Sequence, residues 1–290
     1  MAPDIAPVDP LELDLETADA MAEVDRASMD AAGLRLPAPV GAATLRAIQL
    51  GSDCRPVGGL WLARDGDRVV GHARVEMPWR ENTGTVFVRG TVHPDHRRRG
   101  IGRALLRHAL DAAERAGRPT VFAGSYEGTD GVTALAALGF GHAARYAIRR
   151  VEPHEANDAP RDDAGLEDDA RDAARLSDYE RAMAGRHQTV YRVMARHRRS
   201  GEWAGLSLLC VDEFQPTVAF QEETSVVREH RGHRLGLLMK TELLRWITRE
   251  RPEVGATDTW NETTNHHMIA VNERLGANVL ATYAVHRLDR

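Results

Sequence analysis

An internal repeat constrains the fold of this 290-residue chain more than any other feature. Gly71 in VVGHARV lies 134 positions before Gly205 in WAGLSLL, and both glycines stand inside apolar, strand-like runs. A fixed offset between matching segments is the signature of a duplicated structural unit. Three further pairs keep the same offset without a gap: Val92 and Val226, Arg97 and Arg231, Gly102 and Gly236.

The repeat continues towards the carboxyl end of each half. Gly139 in AALGF and Gly276 in NERLGA are 137 positions apart, which requires an insertion of only three residues in a connecting segment. Agreement over such a length predicts a tandem duplication of one unit.

Each half alternates strands and helices in the same order. In the first half two apolar runs flank the turn-forming Asp65-Gly66-Asp67, which predicts a hairpin, and a helix, a strand and a short helix follow later. The second half repeats this order, beginning with HQTVYRVMARHR, whose apolar spacing favours a helix. Its last segment, NVLATYAVHRL, is expected to be the strand that closes the second unit. This alternation predicts an α/β (α+β) fold.

Charge marks the boundary between the halves. Residues 152–175 contain nine acids, three arginines and almost no large apolar side chains, which is typical of a solvated linker. We therefore predict a first domain at 1–151, an acidic linker at 152–175 and a second domain at 176–290. The linker accounts for the net charge of −5, so no overall positive field favours nucleic acid as a partner.

Cysteine content and the amino terminus indicate the compartment. Cys54 and Cys210 are too few for a disulfide framework and lack zinc-site spacing, which favours a reducing, cytoplasmic environment. The first residues, MAPDIAPVDPLELDLE, carry acids where a secretory signal carries basic residues, and no run reaches about 18 uninterrupted apolar residues. We expect neither export by that route nor a membrane span.

An arginine- and glycine-rich loop between a strand and an amphipathic helix is the strongest functional motif. Such a loop points several backbone N–H groups into one concavity at the positive end of the helix, a geometry that binds a pyrophosphate. Glycine lets ligand oxygens approach the amides, and arginine adds charge-assisted bonds. The spacing fits neither a P-loop nor a dinucleotide-binding motif, so ATP and NAD are disfavoured. The first half supplies Arg97, Arg98, Arg99, Gly100 and Gly102.

These motifs resemble those of the GNAT acyltransferase superfamily, in which [RQ]-x-x-G-x-[GA] lies between a strand and a helix and binds the pyrophosphate of coenzyme A. VHPDHRRRGIGRALL matches that pattern fully, whereas REHRGHRLG has Arg234 at the first glycine position. The resemblance covers both halves and implies two tandem GNAT folds, each a mixed, mostly antiparallel sheet flanked by helices. It implies acetyl-CoA as co-substrate, held by Val92, Arg97, Arg98, Arg99, Gly100, Ile101, Gly102, Arg103, Val226, Arg231, Gly232, Gly236 and Asn265.

Acyl transfer to an amine requires a group that removes the proton of the acceptor. In the GNAT superfamily this is often a glutamate on the strand before the loop, nine or eleven residues before the motif's first residue. Those positions are Val88 and Val86 in the first half, and Glu222 and Phe220 in the second. Glu222 is therefore the candidate general base, although it could also be an exposed strand carboxylate.

The later helix of the superfamily carries an asparagine that contacts the cofactor and a tyrosine that acts as general acid. NHHMIAVNERLG matches from Asn265 onwards but has Asn272 at the tyrosine position, and an amide has no titratable proton to give. In the first half Tyr126, at the end of the VFAGSY strand, could supply a hydroxyl instead, or could be a partly buried strand residue.

Three interpretations follow from these residues. Either the first half holds a structural or regulatory acyl-CoA while the second half reacts, or the first half reacts alone with Tyr126 as acid. The third is a non-catalytic acyl-CoA sensor or scaffold. We expect a small-molecule amine acceptor, no metal, no nucleic acid or membrane partner, and a monomer or homodimer. His266 and His267 point to different helix faces and do not form a metal site.

Overall fold

The computed structural model describes residues 4–51, 56–152 and 173–290. Most of the predicted acidic linker therefore lies outside the described residues. Contacts divide the chain into two compact units. In the described part of the chain, the first unit comprises 4–51, 56–144, 173–186 and 284–290, and the second comprises 145–152 and 187–283. The predicted domain ranges themselves remain a prediction.

The elements of the first half are β1 (Asp4–Val8), α1 (Leu15–Ala31), α2 (Gly41–Leu50), β2 (Val57–Asp65), β3 (Arg68–Glu76), β4 (Thr85–Val92), α3 (Ile101–Arg115), β5 (Thr120–Tyr126), α4 (Asp130–Ala137) and β6 (Gly141–Val151). Those of the second half are α5 (Ala173–Gly185), β7 (Gln188–Arg196), β8 (Trp203–Asp212), β9 (Val218–Val226), α6 (Leu235–Glu250), β10 (Ala256–Glu262), α7 (His266–Arg274) and β11 (Asn278–Asp289).

The two units contain sheets of the same design. In the first unit the strand order is β1-β2-β3-β4-β5-β11; the pairs from β1 to β4 are antiparallel and β4–β5 is parallel. In the second unit β7, β8 and β9 pair antiparallel, β9–β10 is parallel, and β6 pairs antiparallel with β10. The predicted fold class, with mixed, mostly antiparallel sheets flanked by helices, is confirmed.

The long helix of each unit buries one apolar stripe against its sheet. In α3 the residues from Ile101 to Ala113 that recur at helical spacing are buried, and they pack against Val86 and Val88 of β4. In α6 the corresponding stripe includes Leu243 and Ile247. Because each helix follows its parallel strand directly, its amino terminus lies near the carboxyl end of that strand.

The predicted hairpin is confirmed, with Gly66 in the left-handed conformation at φ 61°. The predicted helix at HQTVYRVMARHR is wrong, because residues Gln188–Arg196 form β7 and pair with β8 along their length. This segment alternates Thr, Tyr and Val, which are residues that favour strands. The strand pairing of this segment with β8 therefore outweighs the helical spacing of its apolar residues.

The last strand, which was expected to close the second unit, is divided between the units: residues 278–283 belong to the second. Residues 284–290 belong to the first unit, where Thr120 Oγ1 donates to Asp289 Oδ1 at 3.0 Å and Arg290 N donates to the Pro119 carbonyl at 3.0 Å. Residues 145–151 of β6 occupy the corresponding edge in the second unit, where Arg150 forms a bidentate ion pair with the buried Asp258. The apolar alternation of a strand does not specify its partner, so the sequence pattern could not show this arrangement.

Candidate active site

In each unit the two parallel strands stop pairing before their carboxyl ends. The β4–β5 pairing runs from Thr85↔Thr120 to Val88↔Ala123, and the β9–β10 pairing ends at Gln221↔Thr259. Both strands of each pair continue for three or more residues beyond these points. A gap at the carboxyl ends of parallel strands, beside a helix amino terminus, is a recurrent ligand-binding position.

The loop after β4 presents a series of open backbone donors. Arg98 and Gly100 are both in the left-handed conformation, at φ 62° and φ 83°. Within the described residues, the backbone N–H groups from Arg98 to Arg103 make no backbone hydrogen bond, because they precede or begin α3. A Cβ at Gly100 would meet nothing within 4 Å. The loop is therefore an open cradle suited to an anion.

The arginines of this loop divide into two groups. Arg97 is turned inward: its Nη2 donates to Ser28 Oγ at 2.7 Å and its Nε to the Val92 carbonyl at 3.3 Å, so it fixes the loop to α1 and β4. Arg99 donates to the Asp95 carbonyl at 3.3 Å. Arg98 and Arg103 are exposed and form no hydrogen bond or ion pair with any described residue. These two cations are the ones available to a phosphate.

Three other predicted cofactor positions have distinct surroundings. Ile101 is 2% exposed and its side chain is in the core, so only its backbone can face a ligand. Gly102 is exposed, and a Cβ there would touch only Val92 Cγ2, at 3.7 Å. Val92 is half-buried and packs against the core of the first unit.

The loop after β9 reproduces this backbone. Arg231 has the extended conformation of Arg97, and its Nε donates to the Val226 carbonyl at 3.0 Å. Gly232 is left-handed at φ 81°, and Arg234 takes φ 57° at the position of Gly100. Arg234 thus keeps the loop conformation at the cost of about 1 to 2 kcal/mol of backbone strain. Gly236 is buried, unlike Gly102, and Val226 is half-buried.

A β-bulge lies on β9 immediately before this loop. Leu209 pairs with Gln221 and Ser207 with Thr224, so Glu222 and Glu223 together face the single intervening residue of β8. The buried Gln221 amide braces the bulge by donating to the Leu208 carbonyl at 2.6 Å. Bulges re-aim side chains and are frequent beside active sites. The register of β3 with β4 has no such irregularity.

Glu222 is the first residue of β9 beyond the last parallel pair. It is exposed, and the buried Cys210 lies beneath it with its Sγ 3.7 Å from Glu222 Oε1. The matching residue of β10 is Trp260, which is 45% exposed. In the first unit the residues beyond the last parallel pair are Arg89 and Gly124. The two gaps therefore differ in charge, and only the second has a carboxylate from its own central strand.

The remaining predicted site residues, Tyr126 and Asn265, both form hydrogen bonds to residues close to them in sequence. Tyr126 is half-buried at the end of β5, beside the gap of the first unit, and its carbonyl accepts from Thr129 Oγ1 at 2.6 Å. Asn265 caps α7, where its Oδ1 accepts from the Met268 N–H at 3.0 Å. The structure thus places Asn265 at a helix start rather than in an open position.

Asn272, at the position of the superfamily's tyrosine, lies in the core of the second unit. It is fully buried, accepts from Lys240 Nζ at 2.8 Å and donates to Asn261 Oδ1. These bonds connect α6, α7 and β10. A side chain held in this way stabilises the packing of the unit and does not supply a proton.

Sequence reasoning missed a set of charged residues on the α1 side of the first unit. The buried His72 lies with its Nε2 3.1 Å from Asp25 Oδ1. Burial alone would raise the pKa of Asp25, but the attraction of His72 and hydrogen bonds from His72 and Thr91 hold it below its ordinary value. Asp25 comes from α1 and His72 from β3, so no local motif could have revealed the pair.

A second missed group lies on the same strands. Glu76 on β3 accepts from Arg74 Nε at 3.3 Å and from Arg89 Nε at 3.0 Å. Burial lowers the pKa of Arg74, an effect that Glu76 opposes and Arg89 reinforces. The Glu76 carboxylate is therefore held between two arginines.

Comparisons with known proteins agree with this geometry. The model of the Acetyltransferase (GNAT) family matches residues 29–140. A tandem GNAT protein from the clavulanic acid biosynthesis pathway, solved without AcCoA, is 26% identical over 99% of this chain and 98% of its own, with a TM-score of 0.82. Residues 29–140 thus match the GNAT family, and the chain as a whole is similar to a tandem GNAT protein, in agreement with its internal repeat.

A further GNAT structure supports the fold alone. The GCN5-related N-acetyltransferase from Sphaerobacter thermophilus is 17% identical, with 99% of this chain and 96% of that chain covered and a TM-score of 0.69. No curated protein sequence matches this chain significantly.

Among the described residues, no helix is both long and apolar enough to cross a membrane. Across the same residues, no three His, Cys, Asp or Glu side chains are grouped as metal ligands would be.

Proposed function

We propose that this protein is an acyl-CoA-dependent N-acyltransferase that transfers the acetyl group of acetyl-CoA to the amine of a small-molecule acceptor. The observation that carries the proposal is the open cradle of backbone N–H groups at the start of α3, directly beside the gap between two parallel strands. The match of residues 29–140 to the GNAT family and the similarity of the chain to a tandem GNAT protein agree with it.

The residues of the first loop fit the pyrophosphate of coenzyme A. Open space at Gly100 and the exposed face of Gly102 allow close approach of ligand oxygens. Arg98 and Arg103 can then add charge-assisted bonds to the phosphates. The second loop has the same backbone course, with Arg234 and Gly232 at its rim. Bound at either loop, acetyl-CoA would supply a thioester as acyl donor.

The second unit is the better candidate for the chemical step. Glu222 is exposed at the gap, on the bulge before the loop, whereas the first unit has the ion-paired Arg89 there. Acyl transfer forms a bond between the acceptor nitrogen and the acyl carbon and breaks the carbon–sulfur bond. Glu222 would take the first proton of the ammonium group, and the departing thiolate of coenzyme A would take up the second proton, which the nitrogen releases after attack. The first unit would then hold a structural or regulatory acyl-CoA.

Catalysis in the first unit is the alternative, and the location of Tyr126 at the end of β5 favours it. In that case Tyr126 would protonate the leaving thiolate, and acceptor deprotonation would not depend on Glu222. A non-catalytic acyl-CoA sensor would bind the ligand at either loop and release no coenzyme A.

The test is coenzyme A release from acetyl-CoA with and without a panel of amines, in wild type, Glu222→Gln and Tyr126→Phe. We expect release that depends on an amine and is lost with Glu222→Gln. Loss only with Tyr126→Phe would move the reaction to the first unit. Tight acetyl-CoA binding without release, with every amine, would indicate a sensor and contradict the proposal.

A further inference from the structure

The gap of the second unit is bordered by an acid on one strand and an aromatic residue on the other. Gln221 and Thr259 form the last parallel pair, and both are buried on the side of α6 and α7. Because side chains alternate along a strand, the next residues, Glu222 and Trp260, face the opposite side of the sheet. The contact of Glu222 with Cys210 agrees with that direction.

Trp260 belongs to an aromatic pair. Its ring meets that of Tyr283 edge to face, with centroids 5.5 Å apart and an interplanar angle of 76°. Trp260 keeps 45% of its surface exposed despite this contact. A ring that is held by one aromatic contact and still partly exposed can receive a second flat group by stacking or by an edge contact.

Charged side chains share the face of this pair. Glu262 lies two residues beyond Trp260 on β10 and so shares its face, and its register partner on β6 is Tyr146. Arg150 faces the same side, but its charge is balanced by the bidentate bond to Asp258. The carboxylates of Glu222 and Glu262 can bind a cation, and the aromatic rings favour a flat or cationic group.

We propose that the acceptor of the second unit is a primary amine carried on an aromatic group, with its ring against Trp260 and its ammonium directed towards Glu222. The acetylation of this amine rests on the proposed function, whereas its binding at Trp260 does not. An alkyl ammonium of equal charge satisfies the carboxylates and leaves the rings without a partner. An aromatic amino acid satisfies the rings and brings its own carboxylate near Glu222 and Glu262.

The test compares three probes in the acetyl-CoA assay: 2-phenylethylamine, hexylamine and phenylalanine. We expect kcat/KM to be highest for 2-phenylethylamine, by about fivefold or more over hexylamine, the size of effect expected from one aromatic contact. Trp260→Ala should abolish that preference. The matched control is Trp203→Ala, because Trp203 is 57% exposed on β8 of the same unit and contacts Arg196 instead; it should keep the preference.

Calorimetric binding of 2-phenylethylamine separates this inference from the proposed function. Binding that Trp260→Ala weakens, without acetyl transfer to any amine, would contradict the reaction and support the aromatic site. Transfer to hexylamine and phenylalanine as efficient as to 2-phenylethylamine would overturn the aromatic site and leave the reaction standing. Unchanged 2-phenylethylamine binding in Trp260→Ala would also overturn it.

Discussion

The thiol of Cys210 lies 3.7 Å from Glu222 Oε1, beneath the carboxylate that we propose as general base. A thiol is a weak donor, and a hydrogen bond to the charged form of an acid lowers its pKa. Cys210 is therefore placed to donate a weak hydrogen bond to Glu222.

Replacing Cys210 tests this contact. Cys210→Ala removes the donor, so the acid limb of the kcat/KM profile should move to higher pH by roughly 0.3 to 0.5 unit, the equivalent of one weak hydrogen bond. Cys210→Ser keeps a donor and should leave the limb in place. Identical profiles for Cys210→Ala and wild type would show that the thiol does not affect the base.

Gly102→Val tests the first cradle. A Cβ at Gly102 meets only Val92, at an ordinary 3.7 Å, so the fold should tolerate a side chain that nevertheless occupies the ligand's approach. Loss of a charge-assisted bond predicts acetyl-CoA binding weaker by more than about tenfold, measured by calorimetry. Gly84→Val is the control, because a Cβ there has open space apart from Pro119 at 4.0 Å. Equal affinity for both variants would exclude the first loop as a cofactor site.

Truncation after Tyr283 tests the assignment of residues 284–290 to the first unit. It removes the bonds of Asp289 and Arg290 with Thr120 and Pro119, together with the buried His286. We expect the thermal unfolding midpoint to fall by about 5 °C or more. An unchanged midpoint would mean that these residues do not stabilise the unit.

His286 should make stability depend on pH. Burial, and then the nearby His142, lower its pKa from 6.5, and its Nδ1 has no hydrogen-bond partner among the described residues. The unfolded chain therefore binds the proton first, so stability is complete above pH 6.5 and declines below it, by up to about 1.4 kcal/mol per pH unit. Urea unfolding at pH 7.5 and 5.5 should show a smaller loss for His286→Phe. An equal loss in both proteins would assign the effect to other groups.

The repeat offset allowed much of the fold to be predicted, because several of the residues that define it have the same structural role in both halves. Arg97 and Arg231 make the same bond to the preceding strand, and the left-handed positions that follow them agree. The assignment of residues 145–151 to the second unit and of 284–290 to the first was not predictable, since the alternation of a strand does not identify its neighbour.

The site was predictable only where it is local in sequence. The two loops follow from their motifs, but the Asp25–His72 contact joins residues 47 positions apart on different elements. Trp260 was missed for a similar reason: its relation to Glu222 exists only because β9 and β10 separate after Gln221 and Thr259. Asn265 was expected at the cofactor, and its capping of α7 depends on where that helix begins.

The most direct test of the account is the rate of acetyl transfer by Glu222→Gln across pH. The variant should fold and bind acetyl-CoA like wild type but transfer acetyl roughly 10²- to 10⁴-fold more slowly near neutral pH, the usual contribution of a positioned base. The deficit should shrink as the pH rises towards the pKa of the acceptor, because a free amine needs no base. Turnover equal to wild type at pH 7, together with loss of activity in Tyr126→Phe, would contradict the account and place catalysis in the first unit.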